Sequence, residues 1–188
     1  MGNTALKDNV VVTGRSRLCL TLLPAAVAFL LFLHFQAWAD PLLQKARVIA
    51  VNDGDTVTLR IGNMTYRTRL IGFDAPEVGQ EPWGKKAREH LRTLLKDSGW
   101  NVSVGTDIEK YDKYGRLLVY VWTRDQVFIN ERMLTDGYAV LFTFPPNTKY
   151  VDLFKKAQRL AREKKSGIWG PEGLKERPVE YKKKHPRE

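Results

Sequence analysis

Two runs of alternating apolar and polar residues, joined by a turn, stand out between Thr56 and Phe73. Val57, Leu59 and Ile61 alternate with Thr56, Thr58 and Arg60, the two-residue period of a strand with one buried face. Gly62-Asn63 follows, and both residue types tolerate positive φ, so a tight reversal is predicted there. The second run, Met64 to Phe73, leads back along the first. Upstream, Arg47–Val51 reads as a first strand ended by Asn52-Asp53-Gly54. Asp74-Ala75-Pro76 stops the third, because proline has no N–H for a ladder and biases the residue before it away from helix.

At Trp83 the period changes. Ala87, Leu91, Leu94 and Leu95 recur at helical spacing up to about Lys96, with Lys85, Lys86, Arg88, Glu89 and Arg92 on the other faces, the pattern of an amphipathic helix. Asn101–Val104 is a fourth strand, and Arg116–Trp122 a fifth, reached through the charged loop Glu109–Arg116. Ile129–Thr135 reads as a short helix closed by Gly137, glycine being the usual residue just past a helix end. An aromatic segment, Tyr138–Phe144, and the breaker Pro145-Pro146-Asn147 come next. Val151, Phe154, Ala157, Leu160 and Ala161 then mark another amphipathic helix, after which Ile168-Trp169 packs back on the core. Five short strands with about three α-helices inserted late predict an α+β domain built on a five-stranded OB-type β-barrel. Such barrels often bind oligonucleotides on one face, but a fold alone does not establish a function.

The two ends read differently. Arg15 and Arg17 precede an uncharged apolar run, Leu18–Leu33, followed by Ala37-Trp38-Ala39. A basic start, an apolar middle and a small-x-small site describe a secretory signal cleaved before Asp40. The alternative is an uncleaved anchor over residues 18–35, with the domain held outside the cytoplasm. Residues 1–39 are thus a signal or anchor, 40–170 the domain, and 171–188 a flexible basic tail with few apolar residues and a Lys182-Lys183-Lys184 run. The single cysteine, Cys19, leaves with the signal, so neither a disulfide framework nor a thiolate metal site is available to the domain. The formal charge of +10 becomes +8 once residues 1–39 are removed. That balance attracts polyanions, nucleic acid first among them.

The residue inventory narrows the chemistry. Past residue 39 the histidines are His90, on a predicted helix, and His185, in the tail. A two-histidine acid–base mechanism and a histidine-rich zinc site therefore lack their groups. Neither a G-x-S-x-G elbow nor a P-loop occurs. Carboxylates and arginines remain. Asp55 opens strand two and Asp74 closes strand three, so the hairpin brings them to one end of the sheet. Carboxylate oxygens without nitrogen or sulfur ligands suit a hard divalent cation. Glu77, on the loop past Pro76, is positioned to hold or deprotonate a water beside that ion. Arg69 and Arg116 offer guanidinium forks that match the oxygens of a phosphoryl group. Each of these residues, taken singly, also fits a solvated strand or turn, and Asp53 is read as a plain turn residue.

At these same residues the chain resembles a known family. Val51-Asn52-Asp53-Gly54-Asp55-Thr56-Val57, the block Arg69-Leu70-Ile71-Gly72-Phe73-Asp74-Ala75-Pro76-Glu77, and Asp112-Lys113-Tyr114-Gly115-Arg116 are similar to the signature blocks of the staphylococcal-nuclease (thermonuclease) family. The similarity runs from about residue 45 to 169. It implies a calcium-dependent nuclease on an OB barrel that cleaves DNA and RNA to leave 3′-phosphate ends. By position it implies Ca2+ on Asp55, Asp74 and the Ala75 backbone carbonyl, and catalytic roles for Arg69, Glu77 and Arg116. Lys113 and Tyr114 resemble phosphate contacts, and Phe142 and Phe144 stand for nucleotide-stacking aromatics. The implied partner is nucleic acid as substrate, with no obligate protein partner, a monomeric state, and membrane contact only if the amino-terminal segment is retained. The competing reading is a non-catalytic nucleic-acid-binding module. Such relatives usually lose several of the five key residues, and all five stand here.

Overall fold

The computed structural model describes residues 43–186; the expected signal or anchor at 1–39 lies outside the described residues. Among the described residues seven strands and four α-helices follow in chain order. The strands are β1 (Gln44–Val51), β2 (Thr56–Ile61), β3 (Met64–Leu70), β4 (Phe73–Asp74), β5 (Asn101–Gly105), β6 (Leu117–Thr123) and β7 (Val140–Leu141). The helices are α1 (Trp83–Asp97), α2 (Ile129–Thr135), α3 (Val151–Glu163) and α4 (Pro178–Lys184), with a 3-10 turn at Gly167–Trp169.

Five strands close a barrel in the order β1-β2-β3-β6-β5, and β4 pairs with β7 in a separate two-stranded ribbon. All barrel pairs are antiparallel except β3 with β6, which is parallel. This is the expected five-stranded OB-type α+β fold. Among the described residues no helix is long and apolar enough to cross a bilayer.

The alternation read from sequence becomes an inside and an outside. Val57, Leu59, Leu70, Val102, Val104, Val119 and Val121 are buried in the barrel, and Leu91 and Leu95 bring α1 onto it. Each such side chain stabilises the fold by about 1.5–3 kcal/mol relative to exposure. A second group of aromatics, Tyr120, Trp122, Phe128, Tyr150 and Phe154, packs edge-on and stacked at centroid distances of 4.6–6.3 Å. Asn130 on α2 is wholly buried, yet fully employed. Its Oδ1 accepts from Val121 N–H (2.8 Å), and its Nδ2 donates to the carbonyls of Ile71 (2.9 Å) and Val119 (3.2 Å). It therefore ties the exit of β3 to β6.

Two expectations need correction. The third strand does not run unbroken to Phe73. It ends at Leu70, Gly72 turns the chain at φ +91°, and Phe73-Asp74 pairs with β7. Ile71 N–H has already bonded Val119 carbonyl (3.1 Å), so the backbone is committed to β6 before the turn. The second concerns residues 171–188, expected as a flexible tail. Residues 178–184 form α4, with Pro178 at its first turn and buried. Proline suits that position because its fixed φ is helical and its missing N–H would have no partner there.

Candidate active site

One end of the β2–β3 ladder builds the site. Arg69 on β3 is paired with Thr56 on β2 and with Leu118 on β6. A central strand thus carries Arg69, one neighbour delivers Asp55 just before its first residue, and the other delivers Arg116 just before its own. The forty-odd residues between Arg69 and Arg116 are spanned by the parallel β3–β6 pairing. No local rule of sequence predicts that contact.

Asp55, Asp74 and Glu77 are all buried, at 4 %, 4 % and 8 % exposure. Arg69 joins the two aspartates: Nη1 contacts Asp55 Oδ2, and Nη2 donates to Asp74 Oδ1 (2.9 Å) and to the Phe73 carbonyl (2.9 Å). Asp55 also accepts from Thr56 Oγ1 (2.8 Å) and, at 3.3 Å, from Ala75 N–H. Burial pulls the Arg69 guanidinium below its ordinary pKa, and the Arg116 charge adds to this, while Asp74 opposes it.

Glu77 is fixed by its backbone. Its N–H donates to Gln80 Oε1 (3.0 Å), and Gln80 N–H returns a bond to the Glu77 carbonyl (2.8 Å). Helix α1 begins immediately behind it. A Cβ at Gly84 would collide with the Glu77 carbonyl, so only glycine lets the helix start press this close.

Arg116 is held by its own loop. Asp112 accepts from Arg116 Nε (2.7 Å), Arg116 N–H (2.9 Å) and Tyr114 N–H (2.9 Å). Burial pushes the Asp112 carboxyl up, but the bonds from Arg116 and Tyr114 outweigh it and hold the group below its ordinary value. The Arg116 guanidinium lies 5.5 Å from the Tyr114 ring centre, within cation–π range.

Asp55, Arg69, Asp74, Glu77 and Arg116 line one open cavity of about 720 Å³, together with Tyr114 and Phe142. Lys113 and Phe144 are not among its walls. Lys113 lies over the Tyr114 ring at 5.1 Å, and Phe144 is two-thirds exposed in a turn bridged to Asn147. Ala75 is buried directly behind the aspartates.

Sequence reasoning missed several walls of this cavity. Asp53, read as a turn residue, lines it, as do Arg67, Val179, Tyr181, Lys182 and His185. Lys182 Nζ reaches Asp74 Oδ1 (2.5 Å) and Glu77 Oε1 (3.0 Å). The proline that starts α4 was the one signal available; a run of lysines otherwise reads as a solvated end.

Residues 67–171 match the staphylococcal nuclease homologue family. The chain belongs to that family. It is 38% identical over 124 residues to the thermonuclease of Staphylococcus intermedius, covering 63% of this chain and 72% of that protein. Against the thermonuclease of Staphylococcus hyicus the identity is 34% over 131 residues, covering 67% and 76%. The SPbeta prophage-derived endonuclease YokF of Bacillus subtilis (strain 168) is 32% identical over 127 residues, 64% of this chain and 42% of that one. In this chain the three acid-and-arginine blocks meet at one cavity.

Proposed function

We propose that this protein is an exported, calcium-dependent nuclease that hydrolyses phosphodiester bonds of DNA and RNA, leaving 3′-phosphate ends. The nuclease assignment rests on the family and on relatives named thermonuclease and endonuclease. The observation that carries the site is the convergence of Asp55, Arg69, Asp74, Glu77 and Arg116 on one cavity.

The donor set fits a hard cation. Asp55 and Asp74 present buried oxygens that share a single guanidinium, and oxygen donors are what such a cation prefers. Among the described residues no group of three or more acidic, histidine or cysteine side chains is arranged to hold a metal ion by itself. The two aspartates, the Ala75 carbonyl and water would hold it. Once bound, it supplies positive charge at the reacting phosphate.

The protein's own groups do the rest. Glu77, facing the cavity with its backbone fixed, takes a proton from the attacking water. Water then attacks phosphorus in line as the bond to the 5′ oxygen breaks; that oxygen leaves as a hydroxyl after taking a proton from solvent, and the phosphate stays on the 3′ side. Arg69 and Arg116 stabilise the charge that builds on the phosphoryl oxygens. Tyr114 and Phe142 offer ring faces to a base on the cavity rim. The same reading has residues 1–39 direct export, with cleavage before Asp40.

The test is incubation of the protein with plasmid DNA and with RNA, in calcium, in magnesium and in chelator. Cleavage of both polymers in calcium, abolished by chelator and leaving ends that require phosphatase before extension, is expected. Tight binding without cleavage would make the chain a binding module instead, and cleavage in chelator would remove the cation.

A further inference from the structure

Helix α4 lies beyond residue 171, where the family match ends, yet it is anchored to the site from several directions. Gln80 Nε2 donates to the Glu176 carbonyl (2.9 Å), and Trp83 Nε1 to the Glu172 carbonyl (3.1 Å). Pro178 is buried, and Lys184, the last residue of the helix, pairs with Glu176 ahead of it. The Tyr181 hydroxyl lies against Gly79 so closely that a Cβ there would collide with it. Gln80 is the residue that brackets Glu77, so the loop carrying Glu77 is also the seat of the helix.

From that seat Lys182 extends into the acid cluster. Its ammonium binds Asp74 Oδ1 and Glu77 Oε1 together, at 2.5 and 3.0 Å. Tyr181 and His185 stack at 4.1 Å and form the cavity wall beside it. The oxygens Lys182 engages are those that the proposed function gives to a divalent ion and to the attacking water. An ion bound at the usual ~2.3–2.6 Å from Asp74 would lie within a few ångström of the ammonium, where two cations repel strongly in a partly buried setting.

We propose that α4 is a built-in plug: Lys182 occupies the acid cluster, and divalent-cation binding requires α4 to leave. The inference rests on the metal reading above. Because coupling between two binding events is reciprocal, the factor by which docked α4 weakens the ion equals the factor by which the ion weakens docking. The plug therefore keeps the site closed where the cation is scarce and opens it where the cation is abundant.

The experiment compares the full chain with Lys182→Gln and Lys183→Gln. The second variant removes the same charge from an exposed position one residue away. Calcium affinity is measured by calorimetry, and amide exchange of residues 172–186 is followed by mass spectrometry with and without calcium. Lys182→Gln is expected to bind calcium roughly tenfold more tightly than the wild type, and Lys183→Gln within about twofold. Saturating calcium should speed exchange across α4 in the wild type. Equal calcium affinity in the two variants, or α4 exchange unchanged or slowed by calcium, overturns the plug. If no protein binds calcium, the metal reading falls, and the α4 contact is judged by metal-free exchange. Faster exchange in Lys182→Gln alone then supports the docking through the acids, and equal exchange in both variants refutes it.

Discussion

A half-buried carboxylate, Asp136, and the buried carboxylate cluster of the candidate site have different duties in this molecule. At Asp136, which caps the end of α2, one carboxylate meets two donors, His90 Nε2 (2.9 Å) and Arg132 Nε (2.8 Å). His90 is not the plain helix-surface residue its sequence position suggests. It stacks on Tyr138 at 4.0 Å and, because a carboxylate cannot donate, gives its Nε2 proton to Asp136. That contact joins α1 to α2. At the candidate site three carboxylates meet Arg69 and Lys182, and the cluster lines a cavity rather than a helix seam. A carboxylate closed between two helices holds them together. A cluster of charges beside open space is accessible to a ligand, and this difference separates a structural ion pair from a site.

Substitutions at the two clusters should therefore fail in different ways. The largest effect is expected at Glu77→Gln and Arg116→Ala, each lowering turnover on DNA by about 10²–10⁴-fold with unchanged circular dichroism, since each removes a group that the proposed mechanism uses. Near-normal turnover in both would erase the distinction between the clusters.

Next comes Asp136→Asn, with the opposite signature. Burial pushes the Asp136 carboxyl up, but the bonds from His90 and Arg132 and the Arg132 charge hold it below its ordinary value. Its folded pKa is thus depressed, so its contribution is present above about pH 4 and is lost as pH falls through the folded value. The variant should lose about 1–2 kcal/mol at pH 7, a drop of a few °C in Tm, with activity at 25 °C unchanged. The deficit should fade in acid, as pH falls through that depressed value. A stability loss that does not shrink with acid would deny the ion pair its role.

The smallest effect belongs to Asp112→Asn. Arg116 would keep its strand but lose its strongest anchor. Turnover should fall several-fold, on the order of 1 kcal/mol of barrier, with little change in Tm. A loss as large as that of Arg116→Ala would promote Asp112 from an anchoring residue to an equal partner in the site.

Local patterns carried much of this far. Period-two alternation in β2, helical spacing in α1 and α3, and the Gly62-Asn63 reversal are all short-range properties, and each element formed over nearly the residues read for it. The acid-and-arginine blocks were visible because their chemistry is unusual in a chain otherwise short of histidine and cysteine. What could not be read was anything that depends on a distant partner. Asn130 gives no sign in sequence of its three buried bonds to β6 and Ile71. The break in strand three depends on Val119.

By itself, then, the sequence determined the strands, the helices and the residue types able to do chemistry, because these follow from spacing and composition. Only the tertiary structure decided which of them meet. The parallel β3–β6 pairing sets Arg116 beside Arg69. Closing the barrel turns Asp53 from a turn residue into part of a wall. A seven-residue helix, too short to bury an apolar face of its own, is held by the loop around Glu77 and delivers Lys182 from more than a hundred residues away to Asp74. Contacts at that range are selected by the packing of the whole barrel, and no window of sequence contains them.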